Sequence, residues 1–415
     1  MTRMRILTAS VLLLAAILAC DLPAFPTASQ PLDQAATGVA QTLAAISSST
    51  PPATPLPTQA PNSTPSLPPD LLPRSVYYLT KDKNSLLQVF RLAKDGKTTQ
   101  QITFEPATVD TYDVSLADGS VAYESNNQLY VVDVNGAGRK LLVDGGPVDD
   151  SNRFTNSVGM PVWSPDGKTI AYGHGGLSFY TVATGAISKV LENQVDTSAG
   201  FPIVRELYAP NQYSPDGTRL LISITFNEGG TFGIYRPSDN TLVRFNRPDG
   251  GMVCCEVRWV PDAAGLYVAS PTLGMVDSGL SYVDASTGLV SVLLPGSAPD
   301  GTYNFAAGPQ VGPDGKLYFF FNNLPQIPTG GATPLYMVRS GTDGVGVRTR
   351  LKPDVIQNIN EVLWAPDASL ALVAYVLASA GTPGVFDFGQ VQVVYPDDRP
   401  SVNIIPFAQD MRWGP

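Results

Sequence analysis

The chain has 415 residues, and its 26 lysines and arginines stand against 36 aspartates and glutamates, which gives a net charge of −10. This acidic balance excludes the basic surface that a nucleic-acid-binding protein needs. The single histidine excludes metal centres that are built from several histidines.

The first 19 residues have the pattern of a secretory signal peptide. Residues 1–5 are basic, and residues 6–19 form an apolar run that is too short for a membrane span. The text Ile-Leu-Ala-Cys at 17–20 resembles a bacterial lipobox, which implies that Cys20 is lipidated and becomes the new N-terminus. We therefore expect a cell-membrane lipoprotein on the periplasmic or cell-surface side. An uncleaved anchor is the alternative.

Residues 20–73 begin at the lipidation site, Cys20, and are rich in Pro, Thr, Ser and Ala. The most extreme part is Ser-Thr-Pro-Pro-Ala-Thr-Pro-Leu-Pro-Thr at 49–58. Such a composition buries too little apolar surface to offset the entropy of ordering. The segment is predicted to be a disordered tether.

A strand-turn-strand repeat organises the remaining domain, residues 74–415. Its clearest copy, at 161–172, has an apolar strand ending in Trp163, a Ser-Pro-Asp-Gly turn and a second strand, Ile-Ala-Tyr. Weaker copies recur at intervals of 46 to 53 residues. The aspartates of the copies are Asp118, Asp166, Asp216, Asp262, Asp314 and Asp367.

Two further short strands follow most copies, so that each period contains four strands and no helical periodicity. This pattern predicts an all-β propeller of four-stranded antiparallel blades. Residues 75–104 supply only three strands, and residues 411–415 resemble the missing first strand. Pairing of the N- and C-terminal strands would close the ring. Six internal first strands and this one predict seven blades, with six or eight as alternatives.

The repeat Trp-Ser-Pro-Asp-Gly at 163–167, followed by Ile-Ala-Tyr at 170–172, resembles the TolB-like, or WD40-like Pro-Asp, β-propeller repeat. The resemblance covers about residues 75–415, although only this copy matches fully. It implies protein binding in the periplasm or at the cell surface. TolB itself is similar to a six-bladed form, and the fold hosts many unrelated functions.

Three carboxylates occupy equivalent positions, three residues before the motif tryptophan of their copies. They are Glu256, Glu361 and Asp410. This position lies near the mouth of the central channel of a propeller, where ligands often bind. We expect the three side chains to form a candidate ligand-binding site for a cation or a basic group. Solvated carboxylates scattered round a rim are the alternative.

Other reactive side chains are few. Cys254 and Cys255 are a candidate disulfide, with two buried thiols as the alternative. His174 is predicted to be a solvated turn residue, and no Gly-x-Ser-x-Gly elbow accompanies it. The sequence therefore predicts no catalytic residue and no cofactor.

The favoured interpretation is a lipid-anchored propeller that binds an envelope protein or glycan without catalysis. One alternative is a metal-dependent hydrolase or lyase that uses the channel carboxylates. Another is the orphan propeller of a prolyl-oligopeptidase-like system, which would require a separate hydrolase.

Overall fold

A computed structural model describes residues 70–198, 201–251, 253, 255–271, 279–328, 333–376 and 389–415. All of them belong to one compact unit, Leu67–Pro415. The signal peptide, Cys20 and almost all of the tether lie outside the described residues, so these predictions stay predictions. Leu72 is buried, and its N–H donates to the carbonyl of Lys94 at 2.9 Å. The packed chain therefore includes the last residues assigned to the tether.

The turn at 164–167 forms the predicted hairpin between β8 (Val158–Trp163) and β9 (Thr169–His174). Asp166 Oδ1 accepts hydrogen bonds from the Ser164 hydroxyl at 2.7 Å and from the Lys168 N–H at 3.1 Å. Gly167 has a φ of +69°, a left-handed conformation that glycine adopts without steric cost. Local chemistry therefore specifies this turn.

Antiparallel sheets follow one another along the chain, each with its strands in sequence order. The first is β4 (Val109–Val114), β5 (Val121–Ser125), β6 (Gln128–Val132) and β7 (Lys140–Asp144). The second is β8, β9, β10 (Gly176–Thr181) and β11 (Ile187–Glu192). The third is β12 (Gln194–Asp196), β13 (Ile203–Tyr213), β14 (Leu220–Phe226), β15 (Gly229–Arg236) and β16 (Thr241–Arg244). The fourth is β17 (Glu256–Trp259), β18 (Gly265–Ser270), β19 (Gly279–Asp284) and β20 (Val290–Leu294). The fifth is β21 (Tyr303–Val311), β22 (Leu317–Leu324), β23 (Pro334–Ser340) and β24 (Thr349–Arg350), with β25 (Ile356–Gln357) also paired to β23.

The two ends of the domain share the last sheet. Its C-terminal strands are β26 (Ile359–Trp364), β27 (Ala371–Tyr375), β28 (Gly389–Val394) and β29 (Val402–Trp413), and its N-terminal strands are β1 (Val76–Lys81), β2 (Leu87–Leu92) and β3 (Thr99–Gln101). The first part of β29 pairs with β28 and its last part pairs with β1. The predicted closure of the ring by the terminal strands is confirmed. With β29 shared between two neighbours, the described residues contain seven four-stranded meanders, which we interpret as seven blades.

The buried apolar side chains form clusters between meanders that are consecutive round the ring. Each of seven clusters of buried apolar residues joins two consecutive meanders, and one of them joins the last meander to the closing one. In that last cluster Met411 and Trp413 pack with Leu372 and Val393. The core is therefore distributed round the ring between neighbouring sheets, as a propeller requires.

Two connections on the rim contain regular structure. The segment between β7 and β8 holds the short helix α1 (Arg153–Asn156). In the next long connection, β12 pairs with the start of β13. Among the described residues, no helix has the length and apolar character that a membrane span requires.

Candidate functional site

The first strand of each meander lies innermost, and neighbouring first strands contact one another. Contacts join β4 to β8, β8 to β13, β17 to β21, β21 to β26, β26 to β29 and β29 back to β4. These strands surround the central channel. The predicted site residues Glu256, Glu361 and Asp410 lie on β17, β26 and β29.

Bulges interrupt several of these innermost strands at the position of the predicted site residues. Met160, Gly308 and Asp410 occupy this position with φ values of +53°, +57° and +55°, and the pairing register shifts beside each of them. A bulge turns a backbone N–H out of its own ladder. Such an N–H needs an acceptor from elsewhere.

Side chains of the preceding innermost strand supply these acceptors. Glu256 accepts a hydrogen bond from the Gly308 N–H, and Glu361 accepts one from the Met411 N–H at 2.7 Å. Thr111 accepts from the Met160 N–H at 2.9 Å in the same way. Two of the three predicted carboxylates therefore connect one meander to the next.

Burial in the channel raises the pKa of both glutamates to about 7, because desolvation disfavours the charged form. The hydrogen bond from Gly308 and the charge of Arg258 oppose the shift at Glu256. At Glu361 the nearby carboxylate of Asp410 adds to the shift. Both groups therefore titrate near neutral pH.

Asp410 has an arginine partner. Its Oδ1 lies 2.6 Å from Nη2 of Arg412, and Nε of the same guanidinium lies 3.7 Å from Oδ1 of Asp113. Asp113 also accepts the Trp163 N–H at 2.6 Å, and burial raises its pKa to about 6. Arg412 thus joins carboxylates of two innermost strands, β29 and β4.

Arg258 extends along the channel wall to a more distant strand. Its Nη2 donates to the carbonyl of Val362 on β26 at 2.6 Å, past the intervening strand β21. The charges of Glu256, Arg412 and Glu361 all act on this guanidinium, and burial lowers its pKa. The three predicted carboxylates, Asp113 and two arginines therefore form one electrostatically linked group, which we call the channel cluster (Asp113, Glu256, Arg258, Glu361, Asp410 and Arg412).

The channel cluster differs from the predicted site in one respect. The carboxylates do converge with basic groups, but these groups are the chain's own Arg258 and Arg412. Within the described ranges, no three or more His, Cys, Asp or Glu side chains are grouped so that they could hold a metal ion.

The arginines and Asp113 were missed in the sequence, although a signal for the arginines exists. Arg258 and Arg412 lie two residues after Glu256 and Asp410, a spacing that strand alternation places on one face. The alternation is regular at Glu256 and Arg258, whereas the bulge at Asp410 interrupts it in the second pair. No sequence pattern indicates Asp113, because its partners are Trp163 on β8 and Arg412 on β29, which are distant from it in the chain.

The motif tryptophans pack between meanders. Trp259, Trp364 and Trp413 are buried. The indole of Trp364 donates to the Gly308 carbonyl at 2.6 Å, and that of Trp413 donates to the Trp364 carbonyl at 2.7 Å. Each bond connects a meander to the one before it.

The remaining predicted residues lie apart from the channel cluster or outside the described residues. Cys255 is disulfide-bonded, and because Cys254 lies outside the described residues, their pairing stays a prediction. His174 ends β9 and is half-buried, so it is not the freely solvated turn residue that the sequence suggests. Burial and the charge of Lys189 lower its pKa.

No protein-family model matches this sequence, and no curated protein matches it. Solved structures do match. TolB from Acinetobacter baumannii is 15% identical, with 81% of each chain covered and a TM-score of 0.40. A prolyl endopeptidase is 14% identical with a TM-score of 0.51, and the match covers 83% of this chain and 51% of that one. An oligogalacturonate lyase in complex with manganese is 12% identical, with 80% and 84% covered and a TM-score of 0.50.

This chain spans about half the length of the prolyl endopeptidase that it matches. At these identities the likeness concerns the fold. Together with the strand pairing, the likeness to the prolyl endopeptidase and the lyase confirms the predicted fold: the chain is an all-β propeller of antiparallel four-stranded sheets.

Proposed function

We propose that this protein is a membrane-anchored extracytoplasmic lipoprotein whose propeller binds a protein or glycan of the cell envelope without catalysis. Cys20 would carry the acyl anchor, and the Pro-rich tether would hold the propeller away from the membrane. The binding surface would be the mouth of the channel, next to the channel cluster.

One observation carries this proposal: each predicted carboxylate already has an internal partner. Glu256 and Glu361 accept backbone N–H groups, and Asp410 pairs with Arg412. These contacts hold each carboxylate in place on its own strand, whereas a metal-dependent hydrolase or lyase needs several ligands gathered on one ion. A charged surface that is fixed by its own hydrogen bonds suits recognition of a partner, because little ordering is left to be done on binding.

The test is crosslinking in cells followed by capture of the full-length chain. The site variant is Glu256→Gln, Glu361→Gln, Asp410→Asn, which removes the charges and keeps an oxygen acceptor for the Gly308 and Met411 N–H groups. We expect a partner that the wild type captures and this variant loses. The matched control changes three exposed acids away from the channel cluster, Glu192→Gln, Glu228→Gln and Asp398→Asn, and should capture the partner normally.

Equal capture by the site variant would move the binding surface away from the channel mouth. If the wild type captured nothing, the binding function would lose its support, and metal analysis of the same protein would test the hydrolase or lyase alternative. A Cys20→Ala chain in the same experiment should leave the membrane fraction, and its retention there would contradict the acyl anchor.

A further inference from the structure

A pocket of about 570 Å³ lies between the β21–β25 sheet and the strands β27 and β28. Its size is typical of a small-molecule site. The residues that line it include Ile356, Gln357, Tyr375 and Gln392, and none of them belongs to the channel cluster. The pocket is therefore a feature separate from the surface discussed above.

The pattern of β28 explains why a glutamine lines the pocket. Val391 and Val393 are fully buried against the closing meander, so the alternating residues Gln390 and Gln392 lie on the opposite face. Gln392 is paired directly with Val373, which packs against the β21–β25 sheet. The interface between these two sheets is thus apolar at Val373 and becomes polar at Gln392.

Tyr375 supplies an oriented aromatic ring. Its hydroxyl lies 3.1 Å from Oε1 of Gln390 and 3.3 Å from Oδ1 of Asn403, and its ring packs on the apolar cluster between the two sheets. The ring is therefore held in place, and it is half-buried at the pocket.

Polar side chains with unused hydrogen-bonding capacity surround this ring. Gln357, Gln392, Ser401 and Asp354 line the pocket, and their side chains make no hydrogen bond in the part of the chain that the structure describes. The two amides each offer a donor and an acceptor. No lysine or arginine is among the described lining residues, so the pocket does not offer a cation to a phosphate or a uronate.

These groups match one class of ligand. A sugar ring presents an apolar C–H face, which stacks on an aromatic ring, and hydroxyl groups, each of which donates and accepts. We propose that this pocket binds a short uncharged oligosaccharide, with Tyr375 under a sugar face and Gln357 and Gln392 on its hydroxyl groups. This site is independent of the partner surface at the channel mouth, and the proposal stands or falls separately from it.

The test uses the purified full-length chain with three probes: maltotriose, chitotriose and, as a charged comparison, trigalacturonate. Saturation-transfer NMR detects binding, and titration gives the affinity. We expect at least one uncharged trisaccharide to bind and trigalacturonate to bind more weakly. Gln392→Leu and Gln357→Ala should each weaken binding about tenfold, the effect of losing one hydrogen bond to the ligand.

The matched control is Gln409→Leu, the same change at a half-buried glutamine outside the pocket, and it should leave the affinity unchanged. Gln357 is exposed, so its variant keeps the test valid even if Gln392→Leu perturbs folding. Absence of binding by both uncharged probes at millimolar concentration would overturn the proposal. Preferential binding of trigalacturonate, or site variants that bind like the wild type, would do the same.

Discussion

At the scale of single residues, the channel carboxylates have a structural role that precedes any role in recognition. Glu256 and Glu361 each accept a backbone N–H from the neighbouring meander. The strands β21 and β26 approach closely at Gly308: a Cβ atom added to this glycine would lie 2.5 Å from the Cβ atom of Val362. The residues nearest the channel therefore connect neighbouring meanders as well as carrying charge.

The tryptophans allow the contribution of one hydrogen bond between meanders to the free energy of unfolding to be measured. Trp413→Phe keeps most of the ring but removes the N–H that donates to Trp364 at 2.7 Å. The buried Nε1 of Trp163 has no hydrogen-bond partner among the described residues, so Trp163→Phe is the matched control. Because the first change leaves a buried carbonyl without its donor, it should reduce the free energy of unfolding by about 1–2 kcal/mol more than the second. Urea denaturation measures both, and equal losses would show that the Trp413 hydrogen bond contributes nothing net.

At the scale of the element, the hairpins could be predicted from sequence and the joints between sheets could not. The Ser-Pro-Asp-Gly turn is formed by its own residues, as the hydrogen bonds of Asp166 show. Strand alternation also brings Arg258 onto the face of Glu256. Which N–H each glutamate accepts depends on bulges at Gly308 and Asp410, and these are fixed by packing of neighbouring sheets. The same limit applies to the pocket beside Gln392, which two separate sheets create.

The innermost strands should also make stability depend on pH. In the folded chain burial raises the pKa of Glu256 and Glu361 to about 7, above the value of 4.5 that is normal for a glutamate. The folded state therefore keeps protons that the unfolded state has released between pH 4.5 and 7, so stability falls as pH rises through this window. We expect a lower unfolding temperature at pH 8 than at pH 5.

The double variant Glu256→Gln, Glu361→Gln should show a smaller decrease. Asp113, with a pKa of about 6, and Glu124, with a pKa of about 7, are raised by burial in the same direction, so part of the effect should persist. Thermal unfolding followed by circular dichroism provides the measurement, with the exposed pair Glu192→Gln, Glu228→Gln as control. If the unfolding temperature of the double variant matched that of the wild type at both pH values, Glu256 and Glu361 would be excluded as a source of the pH dependence.

At the scale of the whole molecule, the ring depends on one strand with two neighbours. The sequence predicts this closure because residues 75–104 lack a first strand and residues 411–415 resemble one. The structure adds the way in which it is achieved: β29 pairs with β28 as far as Ala408 and with β1 from Gln409 onwards, and a bulge at Asp410 interrupts the second pairing. Met411, whose N–H donates to Glu361, lies on β29 between Asp410 and Arg412. The strand that closes the ring therefore also carries two residues of the channel cluster.

Removal of residues 411–415 should therefore open the ring. The truncation deletes Met411, which is fully buried, and Trp413, which is 9% exposed, and it exposes the edge of β1. Losing buried side chains of this size costs about 2–5 kcal/mol each, which approaches the total stability of about 5–15 kcal/mol of an ordinary domain. We expect the truncated chain to unfold at a much lower temperature and to associate through the open edge, as measured by circular dichroism and light scattering. Deletion of the exposed Pro415 alone is the control and should change neither property. A monomeric truncated chain with the wild-type unfolding temperature would show that the ring does not need β29 to close.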